Sequence, residues 1–363
     1  MIAAVLGTTA ELIKISPVLN LLEERGNRVE IWNTSMHTDD LTILFDRLVP
    51  GIEIRSMTNP SLTDDVATTR HAVRWIGRVF RNFFRQRREL RRELMQHGPA
   101  TVLILGDTLT TVIGGIMGRL LRVPVAHIEA GYRSGKVFSP FPEELSRRIV
   151  ARLAKIHFAP GEQEAANLAR RSGRVINTGE NTAIDALRSF AGQKGPTDEA
   201  PRYGVVTLHR FELMRRPVIL RSVLEACRSA AAERPVLFFT GPHGRVRLEE
   251  HGLLNFFDDK LVLRDRLPHP DFVAILSKAE FVLTDSGGLQ LESSYLGLPC
   301  LIFREQVESI AGLDRNIIVS GYDLEVVGNF LNDPSHWRRP SLLDSAHPSQ
   351  FIVESLSDAG RAI

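Results

Sequence analysis

The chain of 363 residues holds only two cysteines, Cys227 and Cys300. Both lie in apolar segments, and their spacing fits neither a metal site nor a disulfide framework. A reducing compartment, the cytoplasm, is therefore expected. Long apolar runs are missing too: none reaches the ~20 residues that a membrane span requires. Met1 to Leu6 lacks the charged start and extended apolar stretch of a secretion signal, and reads as a buried first strand. An excess of one charge is also absent. Lys and Arg number 45 against 43 Asp and Glu, a net charge of +2, which gives no electrostatic reason to expect nucleic acid. Neither low-complexity tracts nor repeats with a period of roughly 20 to 50 residues occur, which argues against a solenoid or propeller. What is present is a globular composition, 43% apolar and 24% charged. The length is too great for one ordinary core, so two domains are expected.

Short β-rich runs alternate with segments of helical spacing. Ala3 to Leu6, Val29 to Asn33, Thr101 to Leu105, Val123 to Ile128, Ile156 to Ala159 and Val175 to Thr178 form a first set. Gly204 to Thr207, Val236 to Thr240, Leu261 to Leu263, Phe281 to Thr284 and Pro299 to Phe303 form a second. Apolar strands separated by helices predict parallel sheets covered on both faces, an α/β fold. The polar stretch Ala191 to Asp198 suits a linker or a loop near a boundary. The domains are placed at 1–180 and 181–347, each Rossmann-like. A last amphipathic helix in 348–363, carrying Phe351, Ile352 and Leu356, is expected to return to the first.

Arginines at 70, 74, 78, 81, 85, 88 and 92 recur every three or four residues. On a helix they make one basic stripe, with Val73, Ile76, Phe80, Phe83, Phe84, Leu90 and Leu94 largely turned away from it. A solvated surface face, a subunit interface and a contact with an anionic membrane or acidic acceptor all fit this pattern.

Six segments hold candidate chemistry. Gly7-Thr8-Thr9-Ala10-Glu11 follows the first strand, with Lys14 one turn into the next helix. Glycine turns at the carboxyl ends of parallel strands are where open α/β sheets bind anions. Gly106-Asp107-Thr108 ends a second strand. Asp107 either faces the ligand crevice or caps the following helix. His127 to Arg133 sets Glu129 at a third strand end. Pro140 to Arg148 places Glu143 and Glu144 at a helix start, where the dipole favours their ionised forms. Carboxylates on separate loops, with Arg133 and Arg147 nearby, suit acid/base work on a sugar. For Glu143 and Arg147 the plain alternative is an i,i+4 surface pair. Thr207 to Glu212 begins the second half and holds His209 and Arg210. Last, Thr284-Asp285-Ser286-Gly287-Gly288-Leu289-Gln290-Leu291-Glu292 runs from a strand through a Ser-Gly-Gly turn into a helix. Backbone amides there can hold a diphosphate without a metal ion or cofactor. Glu292 is placed to accept hydrogen bonds from ribose hydroxyls. An ordinary tight turn is the competing view.

Taken in order and spacing, Gly7 to Pro17, Gly106 to Thr111, His127 to Arg133, Ser139 to Glu144, His209 to Glu212 and Thr284 to Glu292 resemble the UDP-N-acetylglucosamine 2-epimerase family along nearly the whole chain. The resemblance implies a GT-B-like pair of Rossmann-like domains facing across a cleft, the uridine on the second and the sugar in the cleft. By motif, Asp107, Glu129, Glu143 and His209 match catalytic positions. Lys14, Arg147, Ser286, Gly287, Gly288, Glu292 and Arg304 match substrate-binding ones, and Arg133, Arg210 and Gln290 lie in the same motifs. The His-x-Glu-Ala-Gly-x-Arg form is that of the non-hydrolysing branch. A homodimer is the assembly the family implies.

The departures cluster in anion loops. The family's Gly-Thr-Arg-Pro-Glu has Thr9 and Ala10 here. Its Gln-His-Arg becomes Met36-His37-Thr38, its His-Arg-Arg-Glu becomes His209-Arg210-Phe211-Glu212, and its Glu-Arg-Pro-Glu run is reduced to Val307-Glu308-Ser309-Ile310. These changes bear on the diphosphate contacts and on the second, activating UDP-sugar site of bacterial members. The implied reaction is C2 epimerisation by elimination and re-addition of UDP through 2-acetamidoglucal. A GT-B glycosyltransferase using a UDP-sugar, and a catalytically idle UDP-sugar sensor, are the other classes the motifs admit.

Overall fold

The computed structural model describes residues 1–36, 41–58, 69–96, 98–135, 141–192, 202–307 and 311–361. The chain forms two compact units, 1–186 with 346–363, and 187–345.

The first unit is built as β1 (Ile2–Leu6), α1 (Thr9–Glu24), β2 (Val29–Asn33), α2 (Leu41–Leu48), β3 (Glu53–Ser56), α3 (Thr69–Gln96), β4 (Thr101–Leu105), α4 (Leu109–Leu121), β5 (Val125–Ile128), α5 (Glu143–Leu153), β6 (Ile156–Ala159), α6 (Glu162–Leu168), β7 (Arg174–Asn177) and α7 (Ala183–Ala191), whose end enters the second unit. All strand pairs are parallel, in the order β3-β2-β1-β4-β5-β6-β7. Strand order reverses between β1 and β4, and such a switch point is where open parallel sheets bind ligands.

The second unit repeats the plan with β8 (Gly204–Thr207), α8 (Phe211–Met214), α9 (Pro217–Ala231), β9 (Val236–Thr240), α10 (Pro242–Glu250), β10 (Leu261–Asp265), α11 (His269–Leu276), β11 (Phe281–Thr284), α12 (Gly287–Leu296), β12 (Cys300–Ile302), β13 (Ile317–Val319) and α13 (Leu324–Asn332). Its order, β10-β9-β8-β11-β12-β13, is parallel throughout and switches between β8 and β11. The fold class is thus α/β with two Rossmann-like parallel sheets.

Strands form where apolar runs are wholly buried: β1 is buried along its length, and β4 at all but its first residue. Helix α4 lies unusually close to its sheet because glycine faces it. A Cβ on Gly114 would sit 2.6 Å from Ile104 and 2.9 Å from Val5, and one on Gly118 only 2.5 Å from Val125. That approach sets where the start of α4, and so the loop after β4, must lie.

The last helix, α14 (Pro348–Arg361), packs on α1. Asp185 accepts a hydrogen bond from its Ser349 amide at 2.8 Å. Its buried face is Ile352, Val353 and Leu356, whereas Phe351 points outward. Helix α3 also differs in detail from its sequence reading. Trp75, Val79, Phe83, Leu90 and Leu94 form the inner face, but Val73 and Phe84 are 65% and 56% exposed and flank the arginines. The helix is anchored by the Trp75 indole, which donates to the Thr34 carbonyl (2.7 Å), and by Arg55 of β3, which pairs with Glu30 and, at 2.7 Å, with Glu93. Gln193 to Asp198, His37, Thr38, Ser139, Pro140 and Glu308 to Ile310 lie outside the described residues, as do the side chains of Phe211 and Glu212. Among the described residues no helix is long and apolar enough to cross a membrane.

Candidate functional site

The first unit gathers its candidates at the carboxyl ends of β1, β4 and β5. Thr8 caps α1, and Glu11 completes a capping box. The Glu11 carboxylate accepts from the amides of Gly7 (2.8 Å) and Thr8 (3.0 Å) and from the Thr108 hydroxyl (2.6 Å). Two of the donors that this turn would offer an anion, the Gly7 and Thr8 amides, are therefore taken by the chain itself. Burial raises the Glu11 pKa despite those hydrogen bonds. Gly7 answers to packing: a Cβ there would lie 2.3 Å from Thr110 and 2.4 Å from Thr34.

Lys14, on α1, reaches Glu129. Its Nζ lies 2.9 Å from Oε1 and donates to Oε2 at 3.2 Å. Burial pulls the ammonium pKa down, but Glu129, with Tyr132 and Asp107 behind it, outweighs burial and the net shift is upward. Glu129 itself adopts a left-handed backbone (φ 62°) just beyond β5. That conformation is uncommon for a residue other than glycine, and it turns the carboxylate back toward α1. Beside it, burial and then Glu129 push the Tyr132 phenol up to about 12.

The cap of α4 is Thr108, whose hydroxyl accepts from the Thr111 amide. Asp107 is thereby released from the capping role. It pairs with Arg147, whose Nε and Nη2 lie 2.8 and 2.7 Å from one carboxylate oxygen. The loop is held from beneath by His127, hydrogen-bonded to the Gly106 carbonyl at 2.7 Å. Burial lowers that imidazole to about 3, so it is neutral and the ring nitrogen donates.

At the start of α5 the two glutamates divide. Glu144 is fully buried and accepts from the Ser134 amide (3.0 Å) and Arg148 (2.9 Å), with Arg147 at 3.5 Å. Burial opposes its ionisation, yet these donors hold its pKa below the ordinary value. Arg147 thus pairs with Asp107 and Glu144, not with Glu143. Glu143 is half-buried, and its Oε2 has no hydrogen-bond partner among the described residues. Arg133 folds onto its own backbone, donating to the Tyr132 carbonyl at 2.6 Å, and burial lowers its pKa.

In the second unit the loops after β8 and β11 meet at the switch point. Asp285, 1% exposed, accepts from the amides of His209 (2.9 Å) and Arg210 (2.7 Å), and its carbonyl accepts from the Arg210 guanidinium at 3.1 Å. The His209 ring lies 3.1 Å from the other carboxylate oxygen, a contact rather than an aligned hydrogen bond, and is more than half exposed. Asp285 is the residue that sequence reasoning passed over. Its acceptor role joins positions 76 apart, which no local pattern reveals.

Ser286 caps α12, accepting from Leu289. The Gly287 and Gly288 amides have no acceptor within the helix, as in any first turn. A Cβ on Gly287 would meet nothing within 4 Å. Internal packing therefore does not require this glycine, and the amides stay approachable. Glu292 lies on the same helix face as Gly288, one turn on, where it bonds His269. Gln290 is 1% exposed, and its amide donates to the Ala311 carbonyl at 3.2 Å. It braces the chain beyond α12. Arg304 follows β12, the strand beside β11, and is half-buried. Cys227 and Cys300 are free and buried, and burial raises both thiols to about 12.

The sequence profile described as UDP-N-acetylglucosamine 2-epimerase matches residues 28–329. A Bacillus subtilis protein named UDP-N-acetylglucosamine 2-epimerase is 29% identical over 98% of this chain and 94% of its own length. Among solved structures, a UDP-N-acetylglucosamine 2-epimerase aligns with a TM-score of 0.75 at 26% identity, covering 98% of this chain and 94% of the other. The Neisseria meningitidis UDP-GlcNAc 2-epimerase, solved bound to UDP-GlcNAc, aligns at 0.74 and 24% identity, covering 98% and 99%. With more than half the chain matched by one profile and both switch points furnished with its motifs, the chain belongs to the UDP-N-acetylglucosamine 2-epimerase family.

Proposed function

We propose that the chain interconverts UDP-N-acetylglucosamine and UDP-N-acetylmannosamine by eliminating and re-adding UDP. Family membership supports the reaction. The observation that carries the mechanism is the unequal pairing of three carboxylates: Asp107 is neutralised by Arg147 and Glu129 by Lys14, while Glu143 Oε2 has no partner among the described residues.

The C2 proton of the sugar is not acidified by a carbonyl at C1, so direct removal is unfavourable. In the stepwise route the C1–O bond breaks, the diphosphate leaves with the electron pair, and C1 gains positive character. A base then takes the C2 proton, and the C2–H electrons form the C1–C2 double bond of 2-acetamidoglucal. Return requires a proton delivered to the opposite face of C2 and attack of the diphosphate oxygen on C1. Two groups are needed for C2, one on each face: Glu143, whose Oε2 has no partner among the described residues, serves one, and Asp107 or Glu129 serves the other. The remaining carboxylate stabilises developing positive charge at C1. The Gly287 and Gly288 amides and the α12 N-terminus stabilise the leaving diphosphate, with His209 and Arg210 beside them. Glu292 takes the ribose hydroxyls. The route is redox-neutral and needs no redox cofactor.

Incubation with UDP-N-acetylglucosamine in D2O without acceptor, followed by NMR at C2, tests this. Deuterium at C2 with an N-acetylmannosamine product is expected. Unchanged C2 with UDP release that an acceptor accelerates would establish a glycosyltransferase instead. Exposed Val73 and Phe84 on α3 support self-association as a homodimer, which sedimentation would read, and two free buried cysteines suit a reducing cytoplasm.

A further inference from the structure

We infer that His269 is a positioning residue that sets Glu292 to recognise the ribose diol, so that the site selects ribonucleotides over deoxyribonucleotides. The inference rests on the proposed UDP site. His269 is the first residue of α11, beyond the end of β10. Its Nε2 lies 2.7 Å from Glu292 Oε1. The two side chains retain 26% and 16% exposure, so the pair lies at a partly covered surface. The Phe190 ring meets the imidazole edge-on, with centroids 5.9 Å apart and planes at 78°, which confines its rotation.

Two unsatisfied atoms point to a ligand. Glu292 Oε2 and His269 Nδ1 are both buried without a hydrogen-bond partner among the described residues. His269 Nε2 takes up one carboxylate oxygen, Oε1, and leaves the other, Oε2, as a fixed acceptor for a hydroxyl of the ribose diol. Placement agrees: Glu292 lies one turn, about 6 Å, along α12 from the open Gly288 amide. That is the spacing of a ribose from a diphosphate seated on the first turn. Without His269 the carboxylate would have to be ordered by the ligand, and diol binding would lose that part of its free energy.

The test compares binding of UDP and 2′-deoxy-UDP by calorimetry in the wild type and in the His269→Leu and His269→Gln variants. The wild type should prefer UDP by about tenfold or more, the worth of one charge-assisted hydrogen bond. His269→Leu should lose most of that preference by weakening UDP binding and leaving 2′-deoxy-UDP nearly unchanged. His269→Gln, which still donates, should recover part of it. A preference that survives in His269→Leu, or equal loss for both nucleotides, overturns the inference while leaving the UDP site standing. Failure of the wild type to bind UDP at all overturns the site and this inference with it.

Discussion

The loops after β1 and β11 begin alike, as a strand end, a glycine turn and a helix capped by a hydroxyl, yet their carboxylates are spent differently. In the first, Glu11 folds back and occupies the Gly7 and Thr8 amides. In the second, the acidic residue precedes the turn, and Asp285 turns the other way, to the His209 and Arg210 amides of the neighbouring loop. The Gly287 and Gly288 amides have no acceptor within the helix. A carboxylate on the helix side of the turn takes the two amides before the helix, whereas one on the strand side ties loops together. From the helix that follows the first loop, Lys14 reaches Glu129 beyond β5.

The largest expected effect probes this division of labour. Glu143→Gln should lower turnover by about 10²- to 10⁴-fold, the usual worth of general acid/base catalysis. UDP affinity, carried by the second unit, should stay within about twofold, because no nucleotide contact is removed. Deuterium exchange and calorimetry on one preparation read both quantities. Near-normal turnover would remove Glu143 from the proton-transfer role, and a large loss of UDP affinity would break the assignment of nucleotide and acid/base groups to different loops.

Acid should expose a second asymmetry. His127 holds the Gly106 carbonyl from beneath the first unit's site, and burial depresses it from 6.5 to about 3. A histidine depressed in the folded state binds fewer protons there than in the unfolded chain. The stability it contributes is fully present above about pH 6.5 and drains away as pH falls toward about 3. His157, lowered by burial on the neighbouring strand β6, acts in the same direction. His127→Asn should flatten the fall in thermal midpoint between pH 6.5 and 4.5. An unchanged slope would mean that other groups govern acid unfolding.

Much of this was legible in the residues, for reasons that also explain the gaps. Buried central strands such as Val102 to Leu105 are apolar without interruption, so the alternation of strands and helices could be read directly. The edge strands β3 and β13 escaped notice. Glu53 to Ser56 has one apolar residue, and Ile317 to Val319 is only three residues long. At the site, strand-end carboxylates announce themselves by position, but their partners do not. Whether Arg147 meets Glu143 or Glu144 depends on helix phase against the loop at Ser134. Glu11 looks like any capping-box glutamate until Thr108, 97 positions away, is brought beside it. Gln290 groups with the binding residues because it lies in the same motif, although its helix face turns inward.

Exchanging the glycines sharpens the comparison to its smallest terms. In the first loop the glycine is needed by the fold, because a Cβ on Gly7 would collide with Thr110 and Thr34. Gly7→Ala should therefore cost about 1–3 kcal/mol of stability, as overpacking does. In the second loop a Cβ on Gly287 meets no atom of the chain, and its backbone lies outside the left-handed region. Gly287→Ala should leave the fold intact and can gain about 0.4–1 kcal/mol by restricting the unfolded chain. The same methyl group would stand where a diphosphate must approach the amides, so UDP affinity should fall about tenfold. A variant that is at least as stable yet binds UDP more weakly has no packing explanation. If Gly287→Ala instead binds UDP as the wild type does, the α12 amides are not the diphosphate site, and the two loops differ only in how they fold.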